Sequence, residues 1–174
     1  MFEALGIMPD HAKRMYIEAI RRINDADVLA ESMRSQSDSQ SIIRILGFEI
    51  LLKCAIHLSG QKPSNSHNYV KLWAALPGKT QKEILEVAND RMPGDADLSD
   101  LNKLFKWYRV VFENARYFYE FYEDYTLEEQ KEIGEFWVDI GAPNKEADIQ
   151  YFPNELVCLI DGLKSYIEPK IPNK

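Results

Sequence analysis

Residues 99–123 read SDLNKLFKWYRVVFENARYFYEFYE, and the spacing of their apolar side chains sets the fold class. Phe105, Tyr108, Phe112, Tyr119 and Tyr122 fall on one heptad-spaced line, with Leu104, Trp107, Val111, Phe118 and Phe121 on the next. Two adjacent apolar lines predict one long helix from about Ser99 to Glu123, with a wide buried face and a central place in the molecule. Arg109, Glu113, Arg116 and Glu120 occupy the remaining face at i, i+4, i+7 and i+11, a narrow line at about 100° per residue. The plain reading of that line is a solvated salt-bridge stripe.

The same helical period recurs outward from this segment. Pro9 and Asp10 open a first helix whose buried face is Met15, Tyr16, Ala19, Ile20 and Ile23. A polar break at Ser35-Gln36-Ser37-Asp38-Ser39 leads to a second helix, about Ser41 to Leu58. Its expected core face is Ile42, Leu46, Ile50 and Leu51, and Gly60 is placed to end it in a left-handed conformation. After a loop at 61–66, His67 to Leu76 reads as a short helix stopped by Pro77 and Gly78. Thr80 with Glu83 and Thr126 with Glu129 have the spacing of capping boxes. They predict helices running through Val87 and Val138, with a loop from Arg91 to Leu98. Asn154 to Ile167 supplies a last helix before Pro169 and Pro172 break the tail. No stretch alternates with period two, so the expected architecture is an all-α bundle of about six or seven helices in a single domain over residues 1–174, with a flexible tail from about 169.

Composition fits this reading and narrows the function. The chain is 45% hydrophobic and 28% charged, which suits a folding domain of this size. It has no apolar run long enough for a membrane span and no basic start typical of a secretory signal, so a cytoplasmic protein without membrane contact is expected. A net charge of -7 disfavours capture of nucleic acid over a broad basic face, while leaving room for a small basic cleft. Cys54 and Cys158 lie inside apolar helical stretches without metal or redox spacing and read as buried thiols. No phosphate loop, nucleophile elbow, zinc helix or calcium loop is present, and neither a metal nor a cofactor is expected.

Within the apolar second helix, Glu49, Lys53 and His57 form a polar line at i, i+4 and i+8. Such a line faces either solvent or a second polar line, and a Glu49–Arg116 pair between packed helices is one expected solution. His67 could act as a general acid or base if the fold brings it near Arg116; a histidine at a helix start more often only supports the turn. The aromatic run 117–122 reads as core before it reads as a base-stacking platform, and eight acidic residues from Glu113 to Glu135 accompany only Arg116 and Lys131.

The run Phe48-Glu49-Ile50-Leu51-Leu52-Lys53, then Gly60, then His67 followed by Leu72, resembles the second and third helices of HEPN domains. The run Phe112-Glu113-Asn114-Ala115-Arg116-Tyr117-Phe118-Tyr119-Glu120 resembles the Arg-Tyr-x-Tyr-Glu segment of some HEPN-like bacterial proteins. The resemblance covers about residues 39–125. It implies a helical bundle that homodimerises, associated with RNA or with a partner protein in a defence, toxin–antitoxin or stress system. It marks Glu49, Lys53, His67, Arg116 and Glu120 as the candidate polar site. The family's ribonucleases share an Arg followed by four to six residues and a His. Here the histidines are His11, His57 and His67, and none has an Arg at that distance before it, so a catalytically degenerate member is expected. The alternative is a non-enzymatic protein–protein interaction module.

Overall fold

The computed structural model describes residues 7–32 and 38–171. Seven α-helices follow in order: α1 (Ile7–Glu31), α2 (Ser39–Leu58), α3 (Tyr69–Ala74), α4 (Gly78–Arg91), α5 (Leu101–Asn114), α6 (Leu127–Asp139) and α7 (Pro153–Ile167). Among the described residues there is no β-strand, only an isolated bridge between Pro93 and Ala96. The all-α bundle expected from the sequence is the fold observed. No helix among the described residues is long and apolar enough to cross a membrane.

The centre of the bundle is α2, not the 99–123 segment. It packs along α1 and against α7, α5 and α3. Ile45, Phe48, Leu51, Leu52, Ala55 and Ile56 are all fully buried, each large side chain contributing roughly 1.5–3 kcal/mol by leaving water. Ile42, Leu46 and Ile50, expected as the core face, are only half-buried, because α2 is covered on nearly every side and its innermost line is set by its neighbours. On α1 the expected face does turn inward: Ala19 and Ile23 are buried, and Met15, Tyr16 and Ile20 pack at the edge of the core. That helix starts at Ile7, so Pro9 falls in its first turn, where the missing amide costs no helical bond. Of the Ser35–Ser39 break, residues 35–37 lie outside the described residues, and α2 already begins at Ser39.

The segment 99–123 is not one helix. The α-helix ends at Asn114, and Ala115–Tyr122 continues as a 3-10 segment interrupted at Tyr117, where φ is -124° and ψ is 37°. Aromatic residues lose side-chain freedom against the preceding helical turn, and a nearly unbroken run of them forfeits helix propensity. The tighter winding places i and i+3 side chains together. Phe118 meets Phe121 with centroids 5.7 Å apart, and Tyr122 meets Tyr125 at 5.9 Å. The two expected apolar lines therefore separate. Leu104, Phe105, Tyr108, Val111 and Phe112 are buried, whereas Tyr117, Phe118, Tyr119 and Phe121 are exposed.

Two capping boxes were expected and one forms. Thr126 Oγ1 accepts from the Glu129 amide and the Glu129 carboxylate accepts from the Thr126 amide, as the pattern requires. Thr80 does not cap: α4 starts at Gly78, directly after Pro77, and Thr80 is buried in its first turn with its hydroxyl 3.4 Å from Tyr166 Oη. Gly60 ends the α2 turn with a φ of +81°, as expected. At the C-terminus, Glu168–Lys170 form a 3-10 turn held by Lys170 Nζ donating to the Tyr166 carbonyl, and Ile171 packs on the core where a free tail was expected; residues 172–174 lie outside the described residues. Tyr16 hydrogen-bonds Glu168 and ties α1 to this turn. Both thiols are buried, and burial pushes Cys54 up to about 12, so it is inert as a nucleophile near neutrality.

Gly162 sets the distance between α7 and α4. A Cβ there would stand 2.4 Å from the Ile84 carbonyl oxygen, which as backbone cannot turn aside. Gly162→Ala should cost about 3 kcal/mol of stability in chemical denaturation. Gly134→Ala, in open space inside α6, should instead stabilise by roughly 0.5–1 kcal/mol.

Candidate functional site

Glu49 lies on α2, only 4% exposed, and its carboxylate is held by three neighbours. Lys53 Nζ, one turn along the same helix, donates to Oε1 at 2.8 Å. His67 Nδ1 lies 2.8 Å from Oε2, and the Tyr69 hydroxyl donates to the same oxygen at 3.0 Å. These partners come from two places. The α2 repeat supplies Lys53, and the turn into α3 supplies His67 and Tyr69. That turn is fixed by Ser66 Oγ accepting from the Asn68 amide and by Asn68 Oδ1 capping the Lys71 amide. Residues 67 and 69 thus arrive side by side at one carboxylate oxygen.

The electrostatics follow from this burial. A buried carboxylate is tolerated where it is paired and hydrogen-bonded, and here a cation and two further polar partners share it. Burial, reinforced by the Glu49 charge and its hydrogen bond, raises the Tyr69 phenol far above the ordinary value, so it stays a donor at every physiological pH. An ionised carboxylate only accepts, so the His67 nitrogen facing Glu49, Nδ1, is the donor. The His67 side chain is 46% exposed and its ring lies 4.9 Å from that of Phe112. A carboxylate-oriented, half-exposed imidazole has the arrangement of a general acid or base.

Of the five candidate residues, Glu49, Lys53 and His67 form one cluster. Arg116 does not pair with Glu49: the carboxylate is engaged by Lys53, His67 and Tyr69, and α5 ends before Arg116. Its guanidinium lies instead over the rings of Phe112 at 5.3 Å and Tyr117 at 5.5 Å, exposed and without an ion pair among the described residues. Phe112 is therefore shared, with His67 and Arg116 both against its ring. Glu120 is exposed in the 3-10 segment and takes no part in the cluster. The expected charged line survives only as the Arg109–Glu113 pair at 2.9 Å, because the change of winding after Asn114 breaks its phase. His57, expected to extend the Glu49–Lys53 line, turns to α1 and packs edge-on against His11, centroids 5.1 Å apart. Tyr69 is the partner that the sequence reading missed; its place two residues after His67, at the start of a helix, was the available signal. Among the described residues no group of His, Cys, Asp or Glu is arranged to hold a metal ion.

Two measurements follow from this geometry. Glu49→Ala removes the acceptor of the buried Tyr69 hydroxyl and should cost about 2–3 kcal/mol in denaturant unfolding, whereas Arg116→Ala and Glu120→Ala, both exposed, should each cost less than about 1 kcal/mol. In an alkaline titration followed at 295 nm, Tyr16, Tyr69 and Tyr108, all raised chiefly by burial, should ionise only as the protein unfolds. Their contribution to stability is fully present below the unfolded value near 10 and is lost as pH rises through the higher folded values, so the protein should weaken above about pH 10.

Comparisons with family models, with curated proteins and with solved structures return no match to this chain.

Proposed function

We propose that this chain is a HEPN-like, RNA-associated protein of a bacterial defence, toxin–antitoxin or stress system, one that engages RNA at the His67–Arg116 face without the family's Arg–His cleavage pair. The single observation that carries this reading is the Glu49–His67 contact at 2.8 Å, which fixes the imidazole beside Phe112, the ring on which Arg116 also rests. An exposed guanidinium without an ion pair among the described residues and a half-exposed imidazole are groups that meet a phosphate and its neighbouring hydroxyl. Tyr117 and Tyr119, exposed beside Arg116, offer ring faces for unstacked bases. The overall charge of -7 limits the interaction to a local contact on single-stranded RNA rather than a long backbone track. Cleavage is not expected, because the Arg and His come from separate elements without the family's spacing.

A second reading, the protein–protein interaction module, is favoured by α6. No residue of that helix is buried, and Leu127 (86% exposed), Phe136 (65%) and Val138 (63%) leave apolar side chains in water. Surfaces of this kind mark interaction sites, including the homodimer that the HEPN resemblance implies.

Fluorescence anisotropy with a labelled single-stranded RNA at low salt separates the two. The RNA reading expects binding that weakens about tenfold, or roughly 1.4 kcal/mol, in His67→Ala and in Arg116→Ala while Arg109→Ala, whose partner is Glu113, stays near wild type. RNA should remain intact throughout. Absence of binding by the wild-type protein, together with a dimer in light scattering that Phe136→Glu dissociates, would leave the interaction module as the function.

A further inference from the structure

A cavity of about 390 Å³ opens away from the Glu49 cluster, between the start of α2, the end of α5, the 3-10 segment, α6 and the loop before α7. Its size is that of a small-molecule site. Phe118, Tyr122, Trp137 and Tyr151 line it, with Val111, Ile133 and Ile149 between them. The polar ends of two of the rings are held in place. Trp137 Nε1 donates to the Pro143 carbonyl at 3.1 Å, and the Tyr122 hydroxyl donates to Asp148 Oδ2 at 2.6 Å. The backbone of Tyr151 is clamped by Asn144, whose side chain accepts from the Tyr151 amide and donates to its carbonyl. These walls are formed before any ligand arrives.

The charge around the cavity has one sign. Asp38, Glu146 and Asp148 contribute carboxylates, and no Lys or Arg is among the described lining residues. Asp38 stands at the start of α2 without making a side-chain cap, so its carboxylate is not committed to the helix. Glu146 has Lys145 at 3.9 Å, and Asp148 accepts from the Tyr122 hydroxyl, a neutral donor. Arg44, which lies beside the Tyr151 hydroxyl, is paired with Asp27 at 2.7 Å. Aromatic walls attract a cation through the negative faces of their rings, and carboxylates at the mouth add to that attraction.

We propose that this cavity binds a small organic cation, an amine or quaternary ammonium on an apolar body. The apolar body fills the space between Val111, Ile133 and Ile149, and the cationic head lies among the rings on the side of Asp148. The site is separate from the His67–Arg116 face and does not depend on RNA binding.

Three probes of one shape test this: phenethylammonium, 2-phenylethanol and phenylacetate, titrated into the full chain while tryptophan emission is followed, with Trp137→Phe to assign the signal. Phenethylammonium should bind saturably and about tenfold more tightly than the alcohol, with phenylacetate weakest. Asp148→Asn, which keeps an acceptor for Tyr122, should erase the preference for the cation. Gly134→Leu places a side chain in the cavity where nothing lies within 4 Å, and should abolish binding of all three while circular dichroism stays helical. Equal affinity for the three probes, preference for the anion, no saturable binding up to millimolar concentrations, or binding unchanged in Gly134→Leu would overturn the assignment.

Discussion

A helix buried on nearly all sides has to neutralise every charge it carries, and in this protein that constraint falls on Glu49. The side chain sits in the middle of α2, between Phe48 and the apolar run that follows, and cannot reach bulk water. Its carboxylate draws in Lys53 from its own helix and His67 and Tyr69 from the turn into α3. The position of α3 and the orientation of the half-exposed His67 ring follow from satisfying that one charge. Arg44, a further charge on the same helix, is handled more simply, by Asp27 on α1.

Around α2 the molecule divides into two parts of different character. α1, α4, α5 and α7 form a dense core in which backbones approach closely at Gly47 and Gly162. The 3-10 segment and α6 present aromatic and apolar side chains to solvent and enclose a cavity rather than filling it. Contiguous exposed apolar surface marks sites of recognition, so the part of the chain with the least internal packing is the part most disposed to bind something else. Phe112, at the end of α5, links the Glu49 cluster to the 3-10 segment, with the His67 ring and the Arg116 guanidinium both against it.

The candidate site was partly legible. Glu49 and Lys53 stand out as polar residues inside an apolar helix, and their i, i+4 spacing states their contact outright. That His67 joins them was expected only as one option, since nothing local to residue 67 indicates which helix its turn will face. The Glu49–Arg116 pair, one expected solution, does not form, and the α-helix ends at Asn114, before Arg116. The cavity left no trace in the sequence, because its walls come from five segments whose residues, read singly, look like ordinary core aromatics.

What the sequence by itself determined is what depends on neighbours within one or two helical turns: the all-helical class, most helix positions, the left-handed turn at Gly60 and the capping box at Thr126. These rest on backbone sterics and on hydrogen bonds between residues three or four apart. The tertiary structure alone decided which helix is central, where the aromatic segment changes winding, and which groups meet the buried carboxylate. Those outcomes depend on contacts between residues 18, 20 and 152 positions apart, at Glu49–His67, Glu49–Tyr69 and Tyr16–Glu168. The periodicity of a helix shows that it has an apolar face, but the surface that covers the face is contributed by distant chain, and only burial against that surface turns a polar residue into a paired one.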